Sequence, residues 1–354
     1  MKITQVETWT EHLPLKRPYT IAFKRVARID LHFVRLETNC GHVGWGSAAP
    51  TDVTQESPEA CYSVLDSAAH GLLMGKDPRC LRPLTCRLEV EAGHSPAARA
   101  ALDMALYDLA ARAAGVSVVD FLGRCHKVLP TSITIGIMPV EQTLREAKEY
   151  LARQFHCLKV KLGLDYAEDV ERLRALRKLA GPGIHIRVDA NQGYSAVEVV
   201  GLAREAGALG IAFIEQPLPA NAVDAMRAMP RKMRPIMAAD ESLHTPKDAL
   251  TLAHDPPFGI FNIKLMKCGG ITSGLAIADL AALAGIDVMW GCMDESRISI
   301  AAALHTAYAS QATRYLDLDG SFDLSRDVVA GGFKFVKGGL MHTLDKPGLG
   351  VHFM

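Results

Sequence analysis

The hydrophobic rhythm of the chain changes near residue 125. Before that point, apolar positions first alternate and then fall at helical spacing. Val34-Arg35-Leu36-Glu37 alternates apolar with polar side chains, as an antiparallel strand with one buried face does. Gly41 and the Gly44/Gly46 pair read as turns beside it. From Pro96 to Ala114 the spacing is helical: Leu102, Ala105, Leu106 and Leu109 share a face, and Gly115 is a natural stop. Strands followed by helices predict a small α+β domain over residues 1–125.

After Pro130 the texture becomes repetitive. Short apolar runs end in a polar or charged residue, and amphipathic stretches separate them. The runs are Ser132–Ile137, Leu158–Leu162, Ile184–Asp189, Ala212–Glu215, Ile236–Asp240, Phe261–Lys264, Asp287–Trp290 and Tyr315–Asp317. In one intervening helix Val170, Leu173, Leu176 and Leu179 form the buried stripe, with Arg172, Arg174 and Arg177 turned away. Strands alternating with helices mean parallel βα units, and eight of them predict an α/β protein with a closed barrel over residues 126–320. An open doubly wound sheet is the alternative, but no GxGxxG follows a first strand. The glycine-containing segment 321–354 is expected to return to the first domain.

A barrel of this kind carries its chemistry at the C-terminal ends of its strands. The second run ends in Lys159-Val160-Lys161, and period-two alternation points both lysines into the barrel. The next runs end at Asp189, Glu215, Asp240 and Lys264, with successive spacings of 26, 25 and 24 residues. Each spacing is one βα repeat, so the three acids form one arc at the barrel mouth. Converging carboxylates repel unless a cation lies among them, and an all-oxygen set favours Mg2+. The competing reading pairs each acid with a lysine or arginine, or uses it to cap the next helix. It is weaker for three acids at matching strand ends than for any one of them.

Lys161 and Lys264 fall on strands two and six, across the barrel from each other. A substrate carbon held between them would meet one amine on each face, which suits removing a proton from one side and returning it to the other. A lysine beside a metal and a second ammonium, here Lys159, is expected to have a lowered pKa and to act as a base near neutrality. The alternative is that these lysines only pair with the acids.

Composition narrows the function classes. The 354 residues carry 39 Lys and Arg against 39 Asp and Glu, so nothing argues for nucleic acid or an anionic membrane as partner. With 49% hydrophobic and 22% charged residues the chain has an ordinary soluble composition. MKITQVETWT lacks the apolar core of a secretory signal, and no apolar run is long enough for a bilayer. The eight cysteines form no CxxC pair, which suggests reduced thiols and a cytoplasmic protein.

The motifs K-V-K at 159–161, D-A-N at 189–191, E-Q-P at 215–217, A-D-E-S at 239–242 and N-I-K-L-M-K at 262–267 together resemble the muconate-lactonizing subgroup of the enolase superfamily. The resemblance covers essentially the whole chain. It implies a modified TIM barrel of the (β/α)7β type under an α+β capping domain. It further implies Asp189, Glu215 and Asp240 as Mg2+ ligands, Lys161 and Lys264 as the two bases, and Lys159 as support for a substrate carboxylate.

Asp317-Leu318-Asp319, at the end of strand eight, is similar to the DxD motif of the dipeptide epimerases. Paired carboxylates suit the free ammonium of a dipeptide and repel a phosphate. That speaks against a phosphate-binding barrel, despite Gly269-Gly270, and against muconate cycloisomerase, o-succinylbenzoate synthase and N-acyl amino acid racemase. Pairing of these aspartates with a neighbour such as Arg314 is the plain alternative. The implied reaction inverts the α-carbon of the C-terminal residue of an L,L-dipeptide through a metal-held enediolate.

Side-chain selection is assigned to the capping loops and the end of strand seven. Lys24 or Arg25 would suit an acidic side chain, as in alanyl-glutamate epimerases; Asp52 and Asp294 would suit a basic one. The run W-G-C-M-D-E-S-R at 290–297 favours cationic dipeptides. Phe23 and Thr134 complete the candidate substrate contacts, and a homo-oligomer is expected. From another class, an idle barrel serving as a binding protein remains the alternative to an enzyme.

Overall fold

A computed structural model describes residues 1–21 and 24–354, and side chains for all of these except 18–21, 24 and 25. The chain opens with a long hairpin. β1 (Ile3–Ile21) pairs antiparallel with β2 (Lys24–Thr38), which pairs with β3 (Val43–Ala48). Val34 and Leu36 are buried while Arg35 and Glu37 are partly exposed, as the alternation requires. Four helices follow: α1 (Pro58–Ala68), α2 (Leu81–Ala92), α3 (Pro96–Ala113) and α4 (Val118–Leu122).

Two sequence expectations need correcting here. Only Gly41 sits in a turn, at φ +78°. Gly44 and Gly46 lie inside β3, where a Cβ would stand 2.5 Å from the Ala105 carbonyl oxygen and 1.9 Å from that of Ala101. They are glycines because β3 presses on the backbone of α3. Nor does α3 have a single buried face: fourteen of its eighteen residues are buried. It runs between β3 on one side and the turn of helix at 265–268 on the other, so small alanines let it pack all round.

After β4 (Leu129–Pro130), eight parallel strands follow in sequential order. They are β5 (Ile133–Ile135), β6 (Cys157–Lys161), β7 (His185–Asp189), β8 (Ile211–Glu215), β9 (Met237–Ala239), β10 (Ile260–Lys264), β11 (Asp287–Gly291) and β12 (Thr313–Leu316). Each falls on one of the eight apolar runs. A parallel bridge from Thr131 to Leu316, with Ser132 N donating to Leu316 O at 3.2 Å, joins the last strand to the first and closes the ring. Helices α5 (Val140–Ala152), α6 (Tyr166–Ala180), α7 (Ala196–Leu209), α8 (Val223–Ala228), α9 (Pro246–Ala253), α10 (Leu265–Cys268) with α11 (Ile271–Ala284), and α12 (Arg297–Tyr308) fill the seven connections. No helix follows β12 before the tail, so the barrel is of the (β/α)7β type.

The floor of the barrel is apolar. Phe213, Ala238, Ile260 and Met289 pack together with Tyr315 beneath the charged mouth. On α6 the predicted stripe is inside, but Arg172 is not turned away as expected. It is buried, pairs with Asp169 and donates from Nε to Met138 O at 2.9 Å. Arg177 likewise ties down Leu209 O and Ile184 O, and only Arg174 reaches outward to Glu205.

The tail forms β13 (Val329–Gly331), β14 (Phe333–Val336), β15 (Leu340–Thr343) and β16 (Val351–Phe353). Phe353 stacks on Trp45 at 5.6 Å, and Asp108 accepts from both Leu349 N and Trp45 N. Among the described residues no helix is long and apolar enough to cross a membrane.

Candidate active site

The strand ends of β6 to β10 bring the charged residues together. One carboxylate oxygen each from Asp189, Glu215 and Asp240 lies within 4.8 Å of the others, and all three residues are buried. The chain turns sharply after each of the first two. Asn191 and Gln192 have φ of +42° and +67°, and Gln216 has +32°, left-handed values unusual outside glycine. Gln216 is locked in place: its Oε1 accepts from Asp240 N and Ser242 N, while its Nε2 donates to Leu218 O. Asn262, two residues before Lys264 on β10, donates to Glu215 Oε1 at 2.7 Å.

Lysines surround the acids. Lys159 Nζ lies 3.0 Å from Asp189, 2.9 Å from Glu215 and 2.8 Å from Asp317. Lys161 Nζ is 2.7 Å from Asp189 Oδ2, and Lys264 Nζ is 2.7 Å from Asp240 Oδ2. In the eight-strand ring, β6 and β10 are separated by three strands on either side, so Lys161 and Lys264 stand on opposite walls. Lys267, on α10, is buried against the Asp240 carboxylate and donates to Asn262 O at 3.2 Å.

The lowered pKa expected of a base lysine belongs to the metal-loaded site; with the acids alone around them, Lys264 and Lys159 are both held up. Burial opposes the charge of Lys264 most strongly, yet Asp240 together with Glu215 and Glu241 holds the pKa above the ordinary lysine value. Lys159 is raised too, by Asp189, Asp317 and Glu215 against its burial. Lys267 is the one lowered, through burial.

The donor set fits a divalent cation. Glu215 is pushed up to about 8 by burial and by Asp189, against the pull of Lys159. Its Oε2 has no hydrogen-bond partner, although Lys159 Nζ is near. A buried carboxyl that cannot stay ionised at neutral pH needs more positive charge beside it. Two oxygens on one Mg2+ at about 2.1 Å stand roughly 3 to 4.2 Å apart, so the trio needs only a slight closing.

Asp317 and Asp319 lie just beyond β12. Asp317 does not pair with Arg314, whose partner is Asp287 at 3.5 Å. It accepts from Lys159 and, at 2.5 Å, from Ser132 Oγ. Burial opposes the Asp317 charge, but Lys159 and Ser132 hold its pKa below the usual carboxylate range. Asp319 accepts from Thr134 N at 2.8 Å, and burial with the Asp317 charge pushes it up to about 7.

The remaining candidates are scattered around the mouth. Asp294 is half-buried in the loop after β11, next to Glu295, which burial pushes up to about 7. Asp52 is exposed in the turn after β3. Phe23 lies outside the described residues, as do the side chains of Lys24 and Arg25. Sequence reasoning assigned no role to Lys267, Asn262, Gln216 or Arg187. The signal existed for two of them. Arg187 and Asn262 sit two residues before a strand-ending charge, so alternation already points them inward.

Residues 3–123 match the family model of the mandelate racemase / muconate lactonizing enzyme N-terminal domain, and 142–354 match the enolase C-terminal domain-like model. The L-Lys-D/L-Arg epimerase of Methylococcus capsulatus is 54% identical over 354 residues, covering 99% of each chain. The L-Lys-D/L-Arg epimerase of Desulforapulum autotrophicum is 52% identical over 353 residues, again covering 99% of each. A crystal structure of the dipeptide epimerase from Methylococcus capsulatus, complexed with Mg and the dipeptide L-Arg-D-Lys, superposes with a TM-score of 0.98 at 53% identity and covers 100% of both chains. Cap, barrel and acid cluster agree with these matches over the whole length, and the chain belongs to the enolase superfamily, in its mandelate racemase / muconate lactonizing enzyme branch.

Proposed function

We propose that this protein is a Mg2+-dependent dipeptide epimerase that inverts the C-terminal residue of cationic dipeptides. The observation that carries the reading is the pair of lysines on opposite walls of one barrel, each hydrogen bonded to a member of the same acid trio. The relatives above act on Lys- and Arg-containing dipeptides by name, and the match to them is end to end.

Asp189, Glu215 and Asp240 would hold the cation. Mg2+ bound there would supply positive charge against the carboxylate that takes up the electrons of the broken Cα–H bond. Lys159, between the trio and Asp317, is placed to face the same carboxylate. The amine of one lysine, when neutral, takes the Cα proton on its face, and the C–H electron pair moves into the carboxylate. The ammonium of the other lysine delivers its proton to the opposite face of Cα, and the electron pair returns to form the new C–H bond. Cα loses one proton and gains one, the first lysine ends as an ammonium and the second as an amine, so their roles are swapped, ready for the reverse reaction.

Asp317 and Asp319 are placed for the free α-ammonium. Thr134 supports Asp319 through its backbone amide. Asp294 and Glu295 put carboxyl groups at the end of β11, the character that a lysine or arginine side chain requires. Asp52 on the cap belongs to the same proposal. The eight cysteines are all free thiols, which suits a cytoplasmic setting. A homo-oligomer is part of the reading, and sedimentation of the Mg2+-loaded protein tests it.

The direct test is a panel of dipeptides incubated with protein and Mg2+ in D2O. Deuterium should enter the C-terminal α-carbon of L-Lys-L-Arg and L-Arg-L-Lys far faster than that of L-Ala-L-Glu. Faster exchange of L-Ala-L-Glu would replace the cationic assignment, and exchange of N-acyl amino acids alone would remove the dipeptide. Within the site, Asp294→Asn should lower kcat/KM for the cationic pair and leave the Lys/Glu preference visibly narrowed; an unchanged preference counts against a role for Asp294.

A further inference from the structure

Beneath the two aspartates lies a guanidinium that the mechanism does not use. Arg187 is buried inside the barrel on β7, two residues before Asp189 and across from Lys159 in the strand register. Its guanidinium stands 5.4 Å from the Phe213 ring centre and 5.0 Å from that of Tyr315. Among the described residues it makes no ion pair, and its Nε has no hydrogen-bond partner. An isolated buried cation is costly, so its retention asks for a charge nearby that it serves.

That charge is Asp317. Arg187 Nη1 donates to Leu316 O at 2.6 Å, fixing the peptide that carries Asp317, and approaches Ser132 Oγ at 3.3 Å. Ser132 Oγ in turn donates to Asp317 Oδ1 at 2.5 Å, while Lys159 takes Oδ2. With Arg187 donating to the serine oxygen, the serine proton is directed at the carboxylate. The same strand continues the pattern two residues on, where Thr134 N holds Asp319. The aromatic walls prevent the guanidinium from leaning away, because both rings are packed in the barrel floor.

We infer that Arg187 is a positioning residue for the substrate ammonium site: through Leu316 and Ser132 it sets the orientation of Asp317, without touching substrate itself. This rests on the reading of Asp317 and Asp319 as the ammonium clamp. An ammonium contact is made alike in the bound substrate and in the transition state, so its weakening should appear in KM more than in kcat.

The test uses the Mg2+-loaded enzyme, L-Arg-L-Lys, and N-acetyl-L-Arg-L-Lys, which lacks the α-ammonium but keeps both side-chain charges. Arg187→Met and Ser132→Ala should each raise KM for the free dipeptide by about 10- to 100-fold with little change in kcat. Neither should worsen the N-acetyl compound by a similar factor, so the preference for the free amine collapses. Arg187→Lys should recover part of the loss. The double variant should be no worse than the poorer single one, since both cut the same chain of contacts. Ser132→Ala removes one oxygen and keeps the test alive if Arg187→Met does not fold. If wild type discriminates but both variants keep its full discrimination, or lose both substrates equally, the positioning role is wrong while the clamp stands. If wild type handles both compounds alike, the clamp itself fails and takes this inference with it.

Discussion

Glu215 shows most sharply what a single residue at the mouth requires. Its carboxyl is buried beside two other acids, and burial with the Asp189 charge pushes its pKa up to about 8. One oxygen is held by Asn262 Nδ2 and the other is left without a hydrogen bond. A hydrogen bond that orients a ligand is commonly worth 10- to 100-fold in metal affinity. Asn262→Leu should therefore weaken Mg2+ binding by about that factor, read by isothermal titration; unaltered affinity would remove Asn262 from the site. The sequence showed Lys161, Asp189, Glu215, Asp240 and Lys264 because each stands at the end of its strand or just beyond it. Arg187 and Asn262, one alternation deeper, carried an inward-pointing signal but no cue to a role, and Lys267 belongs to a turn of helix with no periodicity to read. Spacing also could not show that the Lys264 ammonium stands 2.7 Å from the Asp240 carboxylate.

Elements were legible where a period was present. All eight barrel strands fell on apolar runs because each run carries its own signal of alternation or continuous burial. The 19-residue β1 was not legible, since Pro14 and Pro18 interrupt its pattern. The glycines of β3 were misread because a glycine that admits a helix backbone looks like one that makes a turn. Gly46→Ala would drive a Cβ into the Ala101 carbonyl, with backbone atoms that cannot step aside. It should destabilise the fold by about 3 kcal/mol or more in urea titration, whereas Gly41, with open space around its Cβ position, should tolerate bulk and resist only through its φ. A second element-scale prediction concerns α12. His305 is fully buried and accepts from Val119 N of α4 through Nδ1. Burial lowers its pKa from the ordinary 6.5 to about 3. The folded state therefore resists protonation that the unfolded chain accepts. Stability from this residue is complete above pH 6.5 and is lost progressively as pH falls towards 3. His305→Asn keeps an acceptor for Val119 but cannot titrate, so it should flatten this part of the stability profile; an unchanged slope would assign the acid limb to other groups.

At the scale of the whole molecule, the cap and barrel are fastened at several points. Arg99 on α3 donates to Cys268 O, Asp103 accepts from Thr272 N and its hydroxyl, and His244 beside the acid cluster reaches Val53 O in the cap turn. The loops that would meet the substrate side chains are thus tied to the strand ends that hold its reacting carbon. Cation binding at the mouth should stabilise the folded state by mass action. The thermal midpoint should rise with Mg2+ and fall back on chelation, and Asp240→Asn should abolish most of that shift; an equal shift in the variant would place the ion elsewhere.

The central claim is that Lys161 and Lys264 work from opposite faces of one carbon. Two single variants, Lys161→Ala and Lys264→Ala, should both lose epimerisation in D2O with Mg2+, yet each should keep α-proton exchange with one diastereomer of Arg-Lys. One variant should label only the L,L-dipeptide and the other only the L,D-dipeptide, without crossing over. Exchange of the same diastereomer by both variants, or epimerisation surviving in either, would contradict the account.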